Sequence, residues 1–243
     1  MARSRSETLV QREAKSDDLS GYLVTVLDPT SAASEAYRTL RTSLLYALVD
    51  DTPAKVIVVT SPDYSAKGKS TVCANLGVVL AQAGKNTLIV DCDFRRPVLH
   101  ELFGLHSTRG MVDILVGEHD PREDYQEPLP DSCLKVLAAG TPPPNPVELL
   151  GSRRFSEFLA SVREEFDYVL IDSPPTGPVS DSAILATQGD GVLLTLDAKK
   201  TRKGDVRRSV RSLTAVGANV LGTVMSNAKK QRRRNKIARA KIR

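Results

Sequence analysis

The sequence predicts an α/β fold, namely a single domain built on a doubly wound, mostly parallel β-sheet. Short apolar segments with strand character alternate along the chain with longer segments of helical periodicity, which is the pattern of consecutive βαβ units. In addition, polar segments lie at or shortly after the ends of three of the predicted strands, at residues 68–71, 91–97 and 172–175. Because the carboxyl ends of parallel strands meet at one edge of a sheet, where such folds bind ligands, we expect the three segments to share one site.

The individual elements follow from local patterns. Short apolar runs bounded by polar or turn residues predict six strands, at 55–61, 87–93, 134–139, 168–172, 191–197 and 219–225. Apolar residues at helical spacing predict five helices, at 34–48, 70–83, 153–165, 181–187 and 204–216. Gly84 is expected to end the second helix. Between these elements we predict short helices and turns at 97–118, a surface loop at 119–132 and a stiff, proline-rich connector at 140–146.

Size and composition bound the class of protein. A chain of 243 residues with 41% apolar residues fits one globular domain with a modest tail. No apolar run approaches the roughly 18–20 residues of a membrane span, and the polar segment 1–20 lacks the apolar centre of a secretory signal. The three cysteines, Cys73, Cys92 and Cys133, are too few and too scattered to predict a disulfide framework or a metal site. We therefore expect reduced cysteines in a cytoplasmic protein.

The charge is unevenly distributed along the chain. The net charge is +5, but residues 229–243 contain nine Lys or Arg and no acid, so residues 1–228 carry −4. Such a basic block usually forms a flexible interaction tail. We therefore divide the chain into a flexible N-terminus at 1–24, a domain at 25–228 and a basic tail at 229–243.

The segment Gly68-Lys69-Ser70-Thr71 follows the apolar run 56–59 and opens a predicted helix. In this position a lysine ammonium can meet the β- and γ-phosphates of a nucleotide, and the N–H groups of the first helical turn add further donors. The hydroxyl of Ser70 suits Mg²⁺. The usual pattern has a glycine five positions before the second glycine, where this chain has Asp63. An ordinary turn with a helix cap is the alternative interpretation of this segment.

Three aspartates lie at the ends of two other predicted strands. Asp91 and Asp93 are two residues apart, so a regular strand would place both on the same face. Asp172 ends an apolar strand, and a carboxylate is expensive to bury there without a cation or hydrogen-bond donors. Magnesium, which proteins hold through one or two carboxylates plus waters and phosphates, is a suitable partner. Each aspartate could merely cap a turn, but together with Lys69 they predict a site for ATP and Mg²⁺.

These motifs resemble those of the bacterial tyrosine kinases of capsular and exopolysaccharide synthesis, which are built on a P-loop ATPase fold. The resemblance covers residues 25–227. It rests on the phosphate loop already described, on Leu88-Ile89-Val90-Asp91-Cys92-Asp93-Phe94-Arg95-Arg96-Pro97 and on Phe166-Asp167-Tyr168-Val169-Leu170-Ile171-Asp172-Ser173-Pro174-Pro175. Two further segments are similar to the family, Ala139–Leu150 with its proline-rich centre and Glu35-Ala36-Tyr37-Arg38-Thr39-Leu40-Arg41-Thr42.

The resemblance implies a role for each site residue. Lys69 would bind the ATP phosphates together with Gly68, Ser70 and Thr71. The metal would be held by Ser70, Asp93 and Asp172. Asp91 would orient or deprotonate the attacking tyrosine hydroxyl. Asn227 would contact the adenine, although the spacing in the family favours Ser226 for this role.

The resemblance also implies partners. Glu35, Arg38 and Arg41 would contact a neighbouring subunit in a homo-oligomeric ring; their spacing of three places them on one narrow helix stripe, which equally fits a solvated charged face. As no span of its own is predicted, the protein would work at the inner face of the cell membrane with a membrane-embedded polysaccharide chain-length regulator.

Two departures from the family keep other functions open. The phosphate loop is one residue longer than is typical and lacks the inner glycine, and no tyrosine follows Tyr168, whereas the family has a tyrosine-rich tail. The second hypothesis is therefore a nucleotide-gated scaffold that transfers no phosphate to protein. The third is a partition or septum-site ATPase, but those proteins have a second lysine five residues before the loop lysine, where this chain has Tyr64.

The tail at 229–243 is suited to an anionic surface. Basic residues are attracted to an anionic leaflet within about one Debye length, about 8 Å at physiological salt. We expect the tail to bind the membrane. Nucleic acid is the less favoured partner, although its phosphates attract the same charges, and a merely solubilising tail is the third interpretation.

Overall fold

The computed structural model describes residues 19–47, 55–64, 68–117, 120–177 and 180–228. Three predicted features lie outside the described residues. They are most of the N-terminal segment 1–24, the phosphate-loop residues 65–67 and the basic tail 229–243.

Six strands form one sheet. They are β1 (Val56–Thr60), β2 (Thr87–Asp91), β3 (Leu134–Leu137), β4 (Tyr168–Asp172), β5 (Gly191–Asp197) and β6 (Val220–Ser226). Their order in the sheet is β3-β2-β4-β1-β5-β6, and every neighbouring pair is parallel. This arrangement confirms the predicted single α/β domain with a parallel sheet.

The helices connect the strands and cover both faces of the sheet. They are α1 (Val24–Leu27), α2 (Ala32–Ala47), α3 (Lys69–Ala81), α4 (Leu99–Phe103), α5 (Met111–Val116), α6 (Pro146–Leu150), α7 (Arg153–Glu165), α8 (Asp181–Gln188) and α9 (Lys203–Ala215). A short 3-10 helix spans Pro121–Asp124. In the described part of the chain, no helix has the length and apolar character needed to cross a bilayer.

Alternate side chains of the strands enter two separate cores. On one face, Ile57 and Val59 of β1 join the apolar residues of α3, which is almost entirely buried because α2 packs on its other side. On the opposite face, Val56 and Val58 pack with residues of α5, α7 and α8. Burial on both faces explains why the central strands are continuous apolar runs rather than alternating ones.

The structure moves several predicted boundaries. Packing begins before residue 25, because the Ser20 amide donates to the Leu102 carbonyl and Leu23 is fully buried. Helices α1 and α6 and the 3-10 helix were not predicted individually; each is only four or five residues long, too short for a periodic pattern. Strand β2 ends at Asp91, two residues earlier than predicted, and a turn follows.

Candidate functional site

The register of the sheet brings the three predicted motifs to one edge. Asp172 at the end of β4 pairs with Val59 of β1 on one side and with Asp91 of β2 on the other. The phosphate loop leaves the end of β1, and α3 begins at Lys69. The predicted convergence of the motifs is therefore present in the fold.

Lys69 lies at the centre of this edge and is buried. Its Nζ is 2.9 Å from Asp172 Oδ1, 3.1 Å from Asp93 Oδ2 and 3.1 Å from Ser70 Oγ. Burial by itself opposes the charged ammonium, but the carboxylates of Asp172 and Asp93 outweigh it and raise the pKa of Lys69 above its ordinary value. Lys69 is therefore a fixed positive charge between two strand ends.

Asp172 has one paired and one unpaired carboxylate oxygen. The side chain is fully buried, Oδ1 accepts from Lys69, and Oδ2 has no hydrogen-bond partner within the described residues. Burial raises the pKa of Asp172, while Lys69 and the Ser70 hydroxyl oppose that rise. An unpaired buried carboxylate oxygen is costly, so an additional cation or donor would stabilise it.

Asp93 and Asp91 point to different partners. Asp93 Oδ2 meets Lys69, and Asp93 Oδ1 accepts from the Arg96 amide at 3.2 Å. Asp91 instead accepts three main-chain N–H groups, from Asp93 at 3.1 Å, Val98 at 3.2 Å and Leu99 at 3.1 Å. The regular strand ends at Asp91, so the turn after it, rather than the strand, positions Asp93. The two carboxylates accept from different partners, but both favour the charged form of Lys69.

The charge balance of the cluster indicates which ligand it fits. Three buried carboxylates, of Asp91, Asp93 and Asp172, lie near one ammonium, which pairs directly with Asp93 and Asp172 only. Burial and the neighbouring Asp172 raise the pKa of Asp91 to about 8, so a proton offsets part of the excess negative charge at neutral pH. In the described part of the chain, no group of three or more His, Cys, Asp or Glu side chains forms a complete metal site. Mg²⁺ usually takes one or two carboxylates and completes its shell with waters and phosphates, so the donor set fits it.

Gly68 lies close to the end of β6. A Cβ atom at Gly68 would be 3.0 Å from Ser226 Oγ and 4.0 Å from a methyl group of Thr195. The loop therefore passes closely over β5 and β6, and a side chain at Gly68 would have to displace Ser226. Thr195 is buried, and its hydroxyl has no partner among the described residues.

Asn227 and Thr71 lie at the periphery of this edge. Asn227 directly follows β6 with a φ of 54°, and its Nδ2 donates to Asp197 Oδ2 at 3.0 Å. Ser226 donates to the Leu196 carbonyl at 3.2 Å. Thr71 is half-buried in the first turn of α3. The predicted adenine contact of Asn227 stays a prediction.

Two contacts that were not predicted brace the loops around the site. Arg95 forms a bidentate pair with the buried Asp181 at the start of α8, with Nε–Oδ2 at 2.8 Å and Nη2–Oδ1 at 3.3 Å. The guanidinium of Arg96 lies over the ring of Tyr64, 4.4 Å from the ring centre. Arg95 and Arg96 were recognised only as part of a motif; their partners are distant in sequence, so only the fold reveals them.

The proposed interface residues lie on α2 and make contacts within their own chain. Arg38 pairs with Glu35 at 3.0 Å and donates to the Pro29 carbonyl at 2.6 Å. Arg41 donates to the Val79 carbonyl of α3 at 2.8 Å. Glu35 is largely exposed, so its carboxylate is accessible to a second subunit. The predicted ring contact stays a prediction.

Comparisons with known proteins agree with the fold and the motifs described above. A family model described as ParA, NUBPL iron-transfer P-loop NTPase, matches residues 52–238. Tyrosine-protein kinase YwqD of Bacillus subtilis (strain 168) is 35% identical over 207 residues, which are 85% of this chain and 86% of YwqD. Tyrosine-protein kinase wzc of Salmonella typhi is 36% identical over 206 residues, which are 84% of this chain but only 28% of wzc.

Solved structures agree with the sequence comparisons. The chimerical protein CapA2B2 is similar with a TM-score of 0.81 and 32% identity, covering 90% of this chain and 93% of that one. The cell division ATPase MinD of Pyrococcus furiosus has a TM-score of 0.59 and 26% identity, covering 71% of each chain. The septum-site type of ATPase thus has a related fold, but the likeness is weaker.

Proposed function

This chain belongs to the family of bacterial tyrosine kinases with a P-loop ATPase fold, and on that premise we propose that it is an ATP-dependent protein-tyrosine kinase that phosphorylates itself. The observation that carries the proposal is the buried cluster in which Lys69 lies between Asp93 and Asp172. Phosphoryl transfer needs positioning and charge stabilisation more than covalent chemistry, and such a cluster supplies both.

Each residue of the cluster has a proposed task. Lys69 exchanges its carboxylate partners for the phosphates of ATP, while the main-chain N–H groups at Gly68, Ser70 and Thr71 add donors. Asp93, Asp172 and the Ser70 hydroxyl would hold Mg²⁺, which supplies charge neutralisation at the phosphates when it is bound. The unpaired Oδ2 of Asp172 supports this assignment.

In the proposed reaction, a tyrosine oxygen forms a bond to the γ-phosphorus, the bond from that phosphorus to the β,γ-bridging oxygen breaks, and ADP leaves. The phenolic proton goes to a base. Of the two roles proposed for Asp91, orienting fits its contacts better than deprotonation, because both of its oxygens accept main-chain N–H groups of the turn.

We further propose Tyr22 as the acceptor of self-phosphorylation among the five tyrosines whose side chains the structure describes. Its side chain is 69% exposed. By contrast, Tyr125 and Tyr168 are buried, burial raises the pKa of Tyr37 to about 12, and Tyr64 lies under Arg96. Tyr22 would thus serve in place of the tail tyrosines that this chain lacks.

The biological setting is proposed from the relatives. We place the protein in capsular or exopolysaccharide synthesis, at the inner face of the membrane, with a membrane-embedded chain-length regulator. The matching region makes up 28% of wzc, so most of wzc lies outside it. The basic tail 229–243 would add affinity for anionic lipid. Subunits would assemble through Glu35, Arg38 and Arg41.

A nucleotide-gated scaffold is the second candidate function. Two observations favour it: no tyrosine follows Tyr168, and both oxygens of Asp91 already accept main-chain N–H groups, which weakens Asp91 as a base. The partition or septum-site ATPase is less favoured, because Tyr64 occupies the position of the second lysine.

Incubation with γ-labelled ATP and Mg²⁺ separates these functions. The protein is tested with and without the cytoplasmic segment of the regulator, and phosphotyrosine is located by mass spectrometry. A kinase incorporates label at tyrosine, and the incorporation falls strongly in Tyr22→Phe but not in the matched variant Tyr125→Phe, whose tyrosine is buried. ATP binding without any labelled tyrosine, with the regulator present, would instead establish the scaffold.

A further inference from the structure

Helix α9 and the loop before it present a dense positive surface on the folded domain. We call it the cationic face, and it consists of seven exposed residues, Lys199, Lys200, Arg202, Lys203, Arg207, Arg208 and Arg211. Asp205 is the only acid between positions 199 and 211, and it pairs with Arg208. Lys203, Arg207 and Arg211 are spaced by four, so they form one stripe along the solvent side of the helix.

This distribution of charge does not stabilise helix α9. Arg202 and Lys203 stand at the first positions of α9, where the helix dipole is positive and favours acids over bases. Like charges spaced by four on one helix also repel each other. An arrangement of charges that lowers the stability of a helix is typical of a functional surface.

The end of the described chain lies next to the cationic face. The amide of Ala198 donates to the Ser226 carbonyl at 3.0 Å, and Asn227 donates to Asp197. The end of β6 is thereby held against the loop that carries Lys199. Residue 228, the last described residue, directly precedes the basic sequence 229–243.

The whole chain is consequently bipolar. Residues 199–243 contain sixteen Lys or Arg and one acid, a net charge of +15. As the total is +5, residues 1–198 carry −10. A molecule of this kind is attracted to an extended anionic surface through one end and repelled at the other, so it binds in a preferred orientation.

We propose that the cationic face binds the anionic headgroups of a lipid bilayer and adds to the attraction expected of the basic sequence 229–243. The tail intersperses its basic residues with Ile237, Ala238, Ala240 and Ile242, and Met225 of β6 is 60% exposed. Basic residues mixed with apolar ones suit the headgroup region of a membrane. No aromatic residue follows Tyr168, so this part of the chain has no side chain on which nucleic-acid bases could stack.

This inference deepens the proposed membrane association and is independent of the proposed kinase activity. It assigns part of the binding energy to the folded domain. It also predicts an orientation in which the carboxyl edge of β5 and β6, and with it the nucleotide site, lies on the membrane-proximal side.

Vesicle co-sedimentation at physiological salt tests the proposal on the full chain. The vesicles contain phosphatidylcholine alone or phosphatidylcholine with phosphatidylglycerol. Each basic residue near an anionic surface contributes about fivefold to binding. The triple variant Lys203→Gln, Arg207→Gln and Arg211→Gln should therefore bind the anionic vesicles at least about tenfold more weakly. These side chains are exposed, and circular dichroism checks that the variant is folded.

A matched variant removes three exposed basic residues elsewhere: Lys85→Gln, Arg122→Gln and Arg153→Gln. This variant has the same net charge as the α9 variant and should bind the anionic vesicles as strongly as the original chain. Equal binding of the α9 variant and the original chain would overturn the role of α9 even if deletion of 229–243 abolishes binding. Failure of the full chain to bind anionic vesicles, with a shift of duplex DNA at the same salt, would overturn the membrane proposal itself and establish nucleic acid as the partner.

Discussion

Replacing Lys69 by methionine should weaken ATP binding and strengthen the binding of Mg²⁺ alone. Methionine keeps much of the side-chain volume but removes the charge. Charge-assisted contacts contribute about 1.5–3 kcal/mol each, so loss of the lysine–phosphate contact should weaken ATP binding roughly ten- to hundred-fold. The opposite effect on Mg²⁺ arises because the ammonium, 2.9 Å from Asp172 and 3.1 Å from Asp93, competes with a cation for the same oxygens.

The same substitution should destabilise the ligand-free domain. Breaking a buried ion pair by removing one partner costs about 3–5 kcal/mol, and uptake of a proton by Asp172 or Asp93 would reduce that cost. Melting temperatures of domains of this size change by about 2–4 °C per kcal/mol, so a drop of several degrees is expected. Added Mg²⁺ should restore part of the lost stability, because it replaces the missing positive charge.

Calorimetric titration with ATP and Mg²⁺, and with Mg²⁺ alone, measures both affinities, and differential scanning fluorimetry measures the stability. Lys85→Met, at an exposed position, is the matched control and should change neither affinity. An unchanged ATP affinity in Lys69→Met would refute the assignment of the phosphate site. Weaker binding of Mg²⁺ alone would refute the idea that the lysine and the metal compete for the carboxylates.

Three further predictions concern stability and assembly. Arg95→Ala should lower the free energy of unfolding by about 1–3 kcal/mol in urea titrations, because it leaves the carboxylate of Asp181 buried and unpaired. Arg153→Ala, in an exposed pair, should cost at most about 0.5 kcal/mol, and equal losses would contradict the bracing role of Arg95. The pKa of Asp91 is raised to about 8. From about pH 4 to 8 the folded state therefore holds a proton that the unfolded state has lost. The free energy of unfolding should fall with rising pH in this range, by at most about 1.4 kcal/mol per pH unit. Asp91→Asn should flatten that slope in urea titrations between pH 5 and 8; identical slopes would speak against the raised pKa. Finally, Arg41→Glu should disperse the proposed ring, and an unchanged mass in light scattering, with folding checked by circular dichroism, would exclude this contact.

The fold class and the convergence of the motifs could be predicted from the sequence alone. Strand and helix periodicities differ, so the alternation of β-strands and helices could be predicted from apolar spacing alone. Parallel strands place their carboxyl ends at one edge, so Lys69, Asp93 and Asp172 could be assigned to one site before any distance was known. Local composition also separated the basic tail from the domain.

Tertiary structure alone decided how each side chain is used. The different contacts of Asp91 and Asp93 depend on where β2 ends and on the turn after it, and hydrogen bonds that span several residues control both. The pairing of Arg95 with Asp181 joins residues 86 positions apart, which no local pattern encodes. The helix α9 was predictable, but its basic stripe becomes a surface only when packing buries Ser209 and Leu213 and leaves the opposite side exposed. Periodicity is a local property of the chain, whereas burial and partnership arise only when distant segments meet.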